Sequence, residues 1–151
     1  MIKLTLNDLL AYLNAKKLDP TFQPQYGQIF INLTIDEHEI PVFFGIRSEM
    51  LLQTIAYLPY EIQPKTLGEI ARLLHVLNKE LDLPGFGMDE KERLMFFRTV
   101  IPTIDAQVEE KMIDMCIGIT RLACETFMKA IALVLSGAMT VDSINEKQPE
   151  S

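Results

Sequence analysis

Gln28-Ile29-Phe30-Ile31-Asn32-Leu33-Thr34-Ile35-Asp36-Glu37-His38-Glu39-Ile40-Pro41-Val42-Phe43-Phe44-Gly45-Ile46 alternates twice around a short polar break. Ile29, Ile31, Leu33 and Ile35 share one face of the first half, opposite Phe30, Asn32 and Thr34. Ile40, Val42, Phe44 and Ile46 repeat the period in the second half. A period of two predicts strands with one buried face, here a hairpin turning at Asp36-Glu37. Arg47-Ser48-Glu49 reads as a second turn. Met50 to Leu58, ending at Pro59, is a third apolar run. Its leucines leave a helix open, but a third strand completes a meander with short connections.

Outward from the hairpin the period changes to helical. Upstream, Thr5 suits an N-cap with Asp8 near the positive end of the helix dipole. Leu6, Leu9, Leu10, Leu13 and Leu18 follow at helical spacing to about residue 18, where Asp19-Pro20 stops the helix. Downstream, Thr66 and Glu69 have capping-box spacing. Leu67, Ile70, Leu73, Leu74, Leu77 and Leu81 continue that helix until Leu83-Pro84-Gly85. Gly85 to Met88 and Leu94 to Ile101 predict a further hairpin around Asp89-Glu90-Lys91-Glu92. From Asp105 the pattern is helical for about 32 residues and ends near Gly137, a suitable C-cap. The expected architecture is α+β: an antiparallel sheet in the order α-β-β-β-α-β-β-α with a long C-terminal helix. One domain spans residues 1–137, and the polar stretch 138–151 is expected to be a flexible tail.

The last helix has more apolar surface than one small sheet covers. Glu110, Lys111, Asp114, Gly118, Arg121, Glu125 and Lys129 occupy an arc of roughly 100°, and apolar residues fill about 200° of the remainder. Met112, Ile119, Phe127, Ile131 and Leu135 are candidates for burial against a second element. A twin subunit or another protein is the simplest cover.

With 151 residues, 48% hydrophobic and 23% charged, the chain suits one globular core. Its net charge of −7 argues against nucleic acid, whose binding rests on neutralising phosphates, and against anionic membrane surfaces. The N-terminus carries Asp8 and no long apolar core, unlike a signal peptide. The uncharged run from Ala130 to Val141 falls short of the roughly 20 residues a membrane span needs. The two cysteines, Cys116 and Cys124, lie roughly 12 Å apart along one helix, beyond the reach of a disulfide. Two apolar thiols fit a reducing cytoplasm.

No constellation for catalysis emerges. Two histidines, His38 and His75, do not supply the three converging ligands of a metal site. Glu37-His38-Glu39 sits at a strand turn where neighbouring side chains diverge. No serine lies in a nucleophile elbow, Gly85-Phe86-Gly87 lacks the helix and third glycine of a phosphate loop, and Lys91 and Arg93 break any calcium-loop spacing. The expectation is a non-enzymatic protein without cofactor or metal. Two features suit binding instead. The eight methionines fill core gaps or line an adaptable surface. Phe30, Phe43 and Phe96 on the less apolar strand face form either a contact patch or a second core layer.

Leu4 to Leu18, the hairpin Gln28 to Ile46, the passage Glu69-Ile70-Ala71-Arg72-Leu73-Leu74 through Leu83-Pro84-Gly85-Phe86, and the long helix from Asp105 together resemble the class I type III secretion chaperones of the Tir-chaperone type, and the related YbjN-like bacterial family. The likeness covers about residues 4 to 137 and lies in element order rather than in a signature motif. It implies a homodimer that holds an extended segment of a client protein against the first helix and the neighbouring sheet. Carried onto this chain, the partner-binding residues are Leu6, Leu10, Leu13, Phe30 and Phe43. The length and apolarity of the last helix depart from the pattern, which makes that helix a rival self-association surface. YbjN-like relatives share the fold without a settled chaperone role, and a sensory or regulatory module binding a small apolar ligand between the sheet and the long helix is the alternative.

Overall fold

The computed structural model describes residues 1–147. The chain runs β1 (Ile2–Lys3), α1 (Leu6–Ala15), β2 (Thr21–Gln23), β3 (Gln28–Ile35), β4 (His38–Arg47), β5 (Leu51–Glu61), α2 (Leu67–Lys79), β6 (Phe86–Asp89), β7 (Leu94–Pro102), β8 (Gln107–Val108), α3 (Glu110–Leu135) and α4 (Val141–Lys147). Six strands form one antiparallel sheet in the order β2-β3-β4-β5-β7-β6, and β1 pairs with β8 apart from it. This is the expected α+β meander, with three very short strands added.

Alternation decides which face is covered. Ile29, Ile31, Leu33 and Ile35 of β3 are buried, with Ile40, Val42 and Phe44 of β4, Leu52, Ala56 and Leu58 of β5, and Met95 and Phe97 of β7. Register sets them opposite one another, Ile31 against Val42, Val42 against Ala56 and Ala56 against Phe97. The helices cover this face through Leu9 and Leu13 of α1, Ile70, Leu73 and Leu77 of α2, and Ile113, Cys124, Met128 and Ile131 of α3. The opposite residues, including Phe30, Phe43, Tyr57 and Phe96, form the open face and are half-buried.

Local chemistry explains where the elements start and stop. The Thr5 hydroxyl accepts from the Asp8 N–H at 3.1 Å and donates to the Asp8 carboxylate at 2.6 Å, capping α1. That helix ends at Ala15 rather than 18, because the backbone turns left-handed at Lys17 and Asp19. The first hairpin turns on Asp36 and Glu37, both at positive φ, as a two-residue loop that matches strand twist requires. β5 runs past Pro59 to Glu61. Its register against β7 shifts between Tyr57 and Glu61, so the proline lies where the ladder is already interrupted.

Three expectations are corrected. The capping box does not close: Thr66 Oγ1 donates to Gln63 O, while Glu69 accepts from Val141 N–H at 2.9 Å, across the fold. The long helix begins at Glu110, not Asp105. Asp105 and Ala106 are left-handed, and β8 is held in a ladder with Ile2 and Lys3, so the chain is extended before α3 starts. It ends as read, with left-handed Gly137 just beyond its last turn. Residues 141–147, expected to be flexible, form α4. Val141 and Ile144 are buried, and Asp142 pairs with Arg72 of α2 at 2.6 Å. Two aliphatic residues at helical spacing suffice to dock so short a segment, a signal that its polar composition hides. The rest of the tail, 148–151, lies outside the described residues.

Candidate functional site

α3 shows where its surplus apolar surface goes. Ile113, Thr120, Cys124, Met128 and Ile131 face the sheet and are buried. Met112, Met115, Leu122 and Leu133 form a second stripe on the flank, where Met115 is 53% and Leu122 64% exposed. Beside this stripe the sheet is incomplete. β6 pairs with β7 over Leu94–Phe97 alone, whereas β5 continues to Pro102. A cleft of about 640 Å³ opens between the free length of β7, the loop Leu83–Gly85 and the first half of α3. A second hollow of about 420 Å³ continues it along α3, sharing Leu83 and Ile119. From Met112 to Thr126 the groove follows α3 for roughly 21 Å.

One side chain fixes the lip of the cleft. The Asn78 carbonyl, in the last turn of α2, accepts from Gly85 N–H at 3.2 Å and Phe86 N–H at 2.9 Å, and its amide donates to Phe86 O at 2.8 Å. Gly85 lies so close to β7 that a Cβ there would meet Arg98 O at 2.2 Å. The loop can approach the strand only with glycine at this position. Deeper in, Thr54 and Thr99 share a hydroxyl hydrogen bond of 2.5 Å. Burial pushes the Cys116 thiol up, a Thr99 hydrogen bond opposing it, and burial pushes Cys124 up to about 12. Protonated, buried thiols are poor nucleophiles.

The open face carries the second candidate. Phe30 and Phe43 lie 5.2 Å apart between ring centroids, Phe43 and Tyr57 5.8 Å, and Tyr57 and Phe96 6.4 Å. The rings cross β3, β4, β5 and β7 as one ledge, each packed at an angle against the next. Arg98 and Arg47 project from the same face, and neither makes an ion pair among the described residues.

The five residues assigned to partner binding by resemblance do not share a surface. Phe30 and Phe43 meet on the ledge. Leu6 and Leu10 are half-buried and pack on the core behind the sheet, and Leu13 is 0% exposed inside it. α1 is also tied down on that side, since the Tyr12 hydroxyl donates to Asp114 of α3 at 2.5 Å and Lys16 pairs with Asp114 at 3.5 Å. Burial, followed by this bond, holds the Tyr12 phenol well above its usual pKa. Of the α3 candidates, Met112 is exposed at the cleft, Ile119 lines it half-buried, Phe127 and Leu135 are half-buried, and Ile131 is core. Met115 belongs to the methionines that the sequence sets on apolar stripes as core filler or adaptable surface, whereas Tyr57, Val100 and Leu83 carry no functional expectation from the sequence. The cleft residues depend on β6 stopping short, which no periodicity announces.

His38 packs edge-on against Tyr60 at 5.8 Å. Among the described residues no three His, Cys, Asp or Glu side chains gather as metal ligands, and no helix is long and apolar enough to cross a membrane.

Residues 5–133 match the family model YbjN, described as "Putative bacterial sensory transduction regulator". No curated protein sequence matches the chain. Among solved structures, "Crystal structure of YbjN, a putative transcription regulator from E. coli" superposes with a TM-score of 0.62 at 8% identity, covering 83% of this chain and 92% of that one. At that identity the likeness speaks for the fold. The family match spans nearly every element described above, from the Thr5 cap to the last turn of α3, and the chain belongs to the YbjN family.

Proposed function

We propose that this chain is a non-catalytic regulatory module whose input is a small, mainly apolar molecule bound between α3 and β7. The observation that carries this reading is the cleft itself. At about 640 Å³ it has the size of small-molecule sites, which are apolar with a few fixed polar groups. Its walls are Phe86, Ile101, Met112, Met115 and Ile119, and Asn78 holds its lip in shape. Methionine lips adapt to ligands of differing outline. The test is a titration with decanol and naphthalene followed by amide chemical shifts. Saturable shifts at residues 98–102 and 112–119 are expected, with a rise in Tm by mass action. Ile119→Asp should abolish both. Wild-type protein that binds neither probe up to its aqueous solubility limit refutes the reading.

A second reading, a dimeric adaptor or chaperone-like protein that holds a client segment, is favoured by the aromatic ledge. Aromatic and arginine side chains are what interface cores are enriched in. Phe30→Ser with Phe43→Ser should then abolish capture of a partner while leaving the fold intact. The second copy would cover Leu122 and Leu133. Leu122→Arg should halve the mass seen by light scattering, and a monomeric wild type rejects the dimer.

A further inference from the structure

β7 has two neighbours for only part of its length. β6 accompanies it from Leu94 to Phe97, and the Arg98 N–H then donates to Gly85 O at 2.8 Å on the same side. β5 runs on along the other edge to Pro102. Hydrogen-bonding direction alternates along a strand. With Arg98 N–H directed to the β6 side, the N–H and C=O of Val100 point that way too, into a lane that no strand among the described residues fills. Thr103 N–H, three residues beyond, donates to Met50 O, which fits the alternation. Arg98 to Pro102 line the cleft in unbroken succession, as a strand does when its edge forms the wall. Val100 is 43% exposed.

Taking that cleft as the input site, as proposed above, we infer that its ligand carries a secondary amide on an apolar chain. The amide pairs with Val100 as one more rung on β7, and the chain lies against Met115 and Ile119. Of the lining's other polar side chains, Asn78 holds the loop, the hydroxyl of Thr99 is paired with Thr54, and Arg98, which makes no ion pair among the described residues, projects from the open face of the sheet rather than toward α3. A hydrocarbon entering the cleft would strip water from Val100 N–H and C=O and leave both unpaired, which is costly. A carboxylate could satisfy the donor but would face the carbonyl with a second acceptor. A secondary amide presents one donor and one acceptor with the polarity that a β rung uses. N-acyl amines and short peptides both carry this group.

The decisive comparison is N-butyloctanamide against butyl octanoate, its ester counterpart, with acetyl-Val-Leu-Val-methylamide as a third probe. The amide should bind about tenfold tighter than the ester, the effect of one shielded hydrogen bond. It should also shift the Val100 amide proton downfield and slow its exchange. Val100→Pro removes the outward N–H without touching the ladder to β5, and in that variant amide and ester should bind alike. If the variant does not fold, the exchange protection at Val100 in wild-type protein decides. Equal affinities of amide and ester for wild type overturn the inference and leave the cleft reading standing. Failure of both to bind overturns the two together. A tighter tripeptide identifies a protein segment as the source, and a tighter octanamide identifies an N-acyl amine.

Discussion

Leu13 separates the core from the partner surface, and its truncation measures which one it serves. The resemblance to secretion chaperones places it against a client, whereas the structure leaves it 0% exposed beneath the sheet. Leu13→Ala deletes a fully buried isobutyl group and leaves a cavity in a close-packed interior, at a cost of about 3 kcal/mol. For a chain of 151 residues each kcal/mol lowers Tm by roughly 2–4 °C, so a fall of about 6–12 °C is expected. Urea unfolding followed by circular dichroism should give the same loss with an unchanged slope, since the surface exposed on unfolding hardly differs. Met115→Ala is the matched control, because a half-exposed methionine at the cleft should cost under about 0.5 kcal/mol. If the two variants are equally stable, Leu13 does not occupy the core site described, and the packing of α1 against the sheet is wrong.

Asn78→Ala should cost about 1–3 kcal/mol, because it orphans two N–H groups and a carbonyl of the Gly85–Phe86 loop. It should also weaken probe binding in the cleft, and unaltered affinity would show that the lip does not shape the site. Tyr12→Phe removes the hydroxyl bond to Asp114 and should lower the urea midpoint by the equivalent of about 1.5–3 kcal/mol, the range for bonds to charged groups. Glu37→Gly relieves a left-handed glutamate in the first hairpin and should raise stability by about 0.5–1 kcal/mol, read from the same midpoint. Cys124 sets a pH dependence. Its thiol is held up to about 12 in the fold and ionises near 8.5 when unfolded. Above that pH the unfolded chain binds fewer protons than the native one, so stability falls by about 1.4 kcal/mol per pH unit from this group. Cys124→Ala should remove that slope between pH 9 and 11, and an unchanged slope would mean the thiol is not shielded.

Much of the fold is legible because the alternation around Asp36-Glu37 is strict, and a slip of one residue would turn Ile29, Ile31, Leu33 and Ile35 to the open face. Helices with wide leucine stripes were equally plain. What stayed hidden depends on distant partners. Glu69 has the spacing of a local cap, yet the N-terminus of α4 takes its carboxylate. β8 looks helical until Ile2 pairs with Val108. Most of the ledge is legible, since Phe30, Phe43 and Phe96 declare themselves by alternation, whereas Tyr57 sits in a run apolar at nearly every position. The sequence leaves room for a ligand between the sheet and the long helix, but the walls of the cleft are not legible in it, because they are made by the end of β6 and a strand's edge is a property of its neighbours.

β7 connects the two candidate surfaces. Thr99 and Ile101 face the helices at the cleft, while Phe96 and Arg98 project from the open face, and Phe96 packs edge-on against Tyr57. The strand is firmly held by β5 along its length and by β6 over Leu94–Phe97 alone. Its least restrained length, from Thr99 onward, is therefore the part that a ligand in the cleft would touch. A rung added at Val100 would supply the neighbour that β6 does not. The first consequence should be a stiffer strand beneath the ledge rather than a moved one, because the core residues Met95 and Phe97 are fully buried and close packing resists displacement. Coupling by stiffening alone is thermodynamically sufficient. Exchange rates at Phe96 and Arg98, measured with and without cleft probes, should then slow together with Val100. Slowing confined to Val100 would mean that the two surfaces act independently.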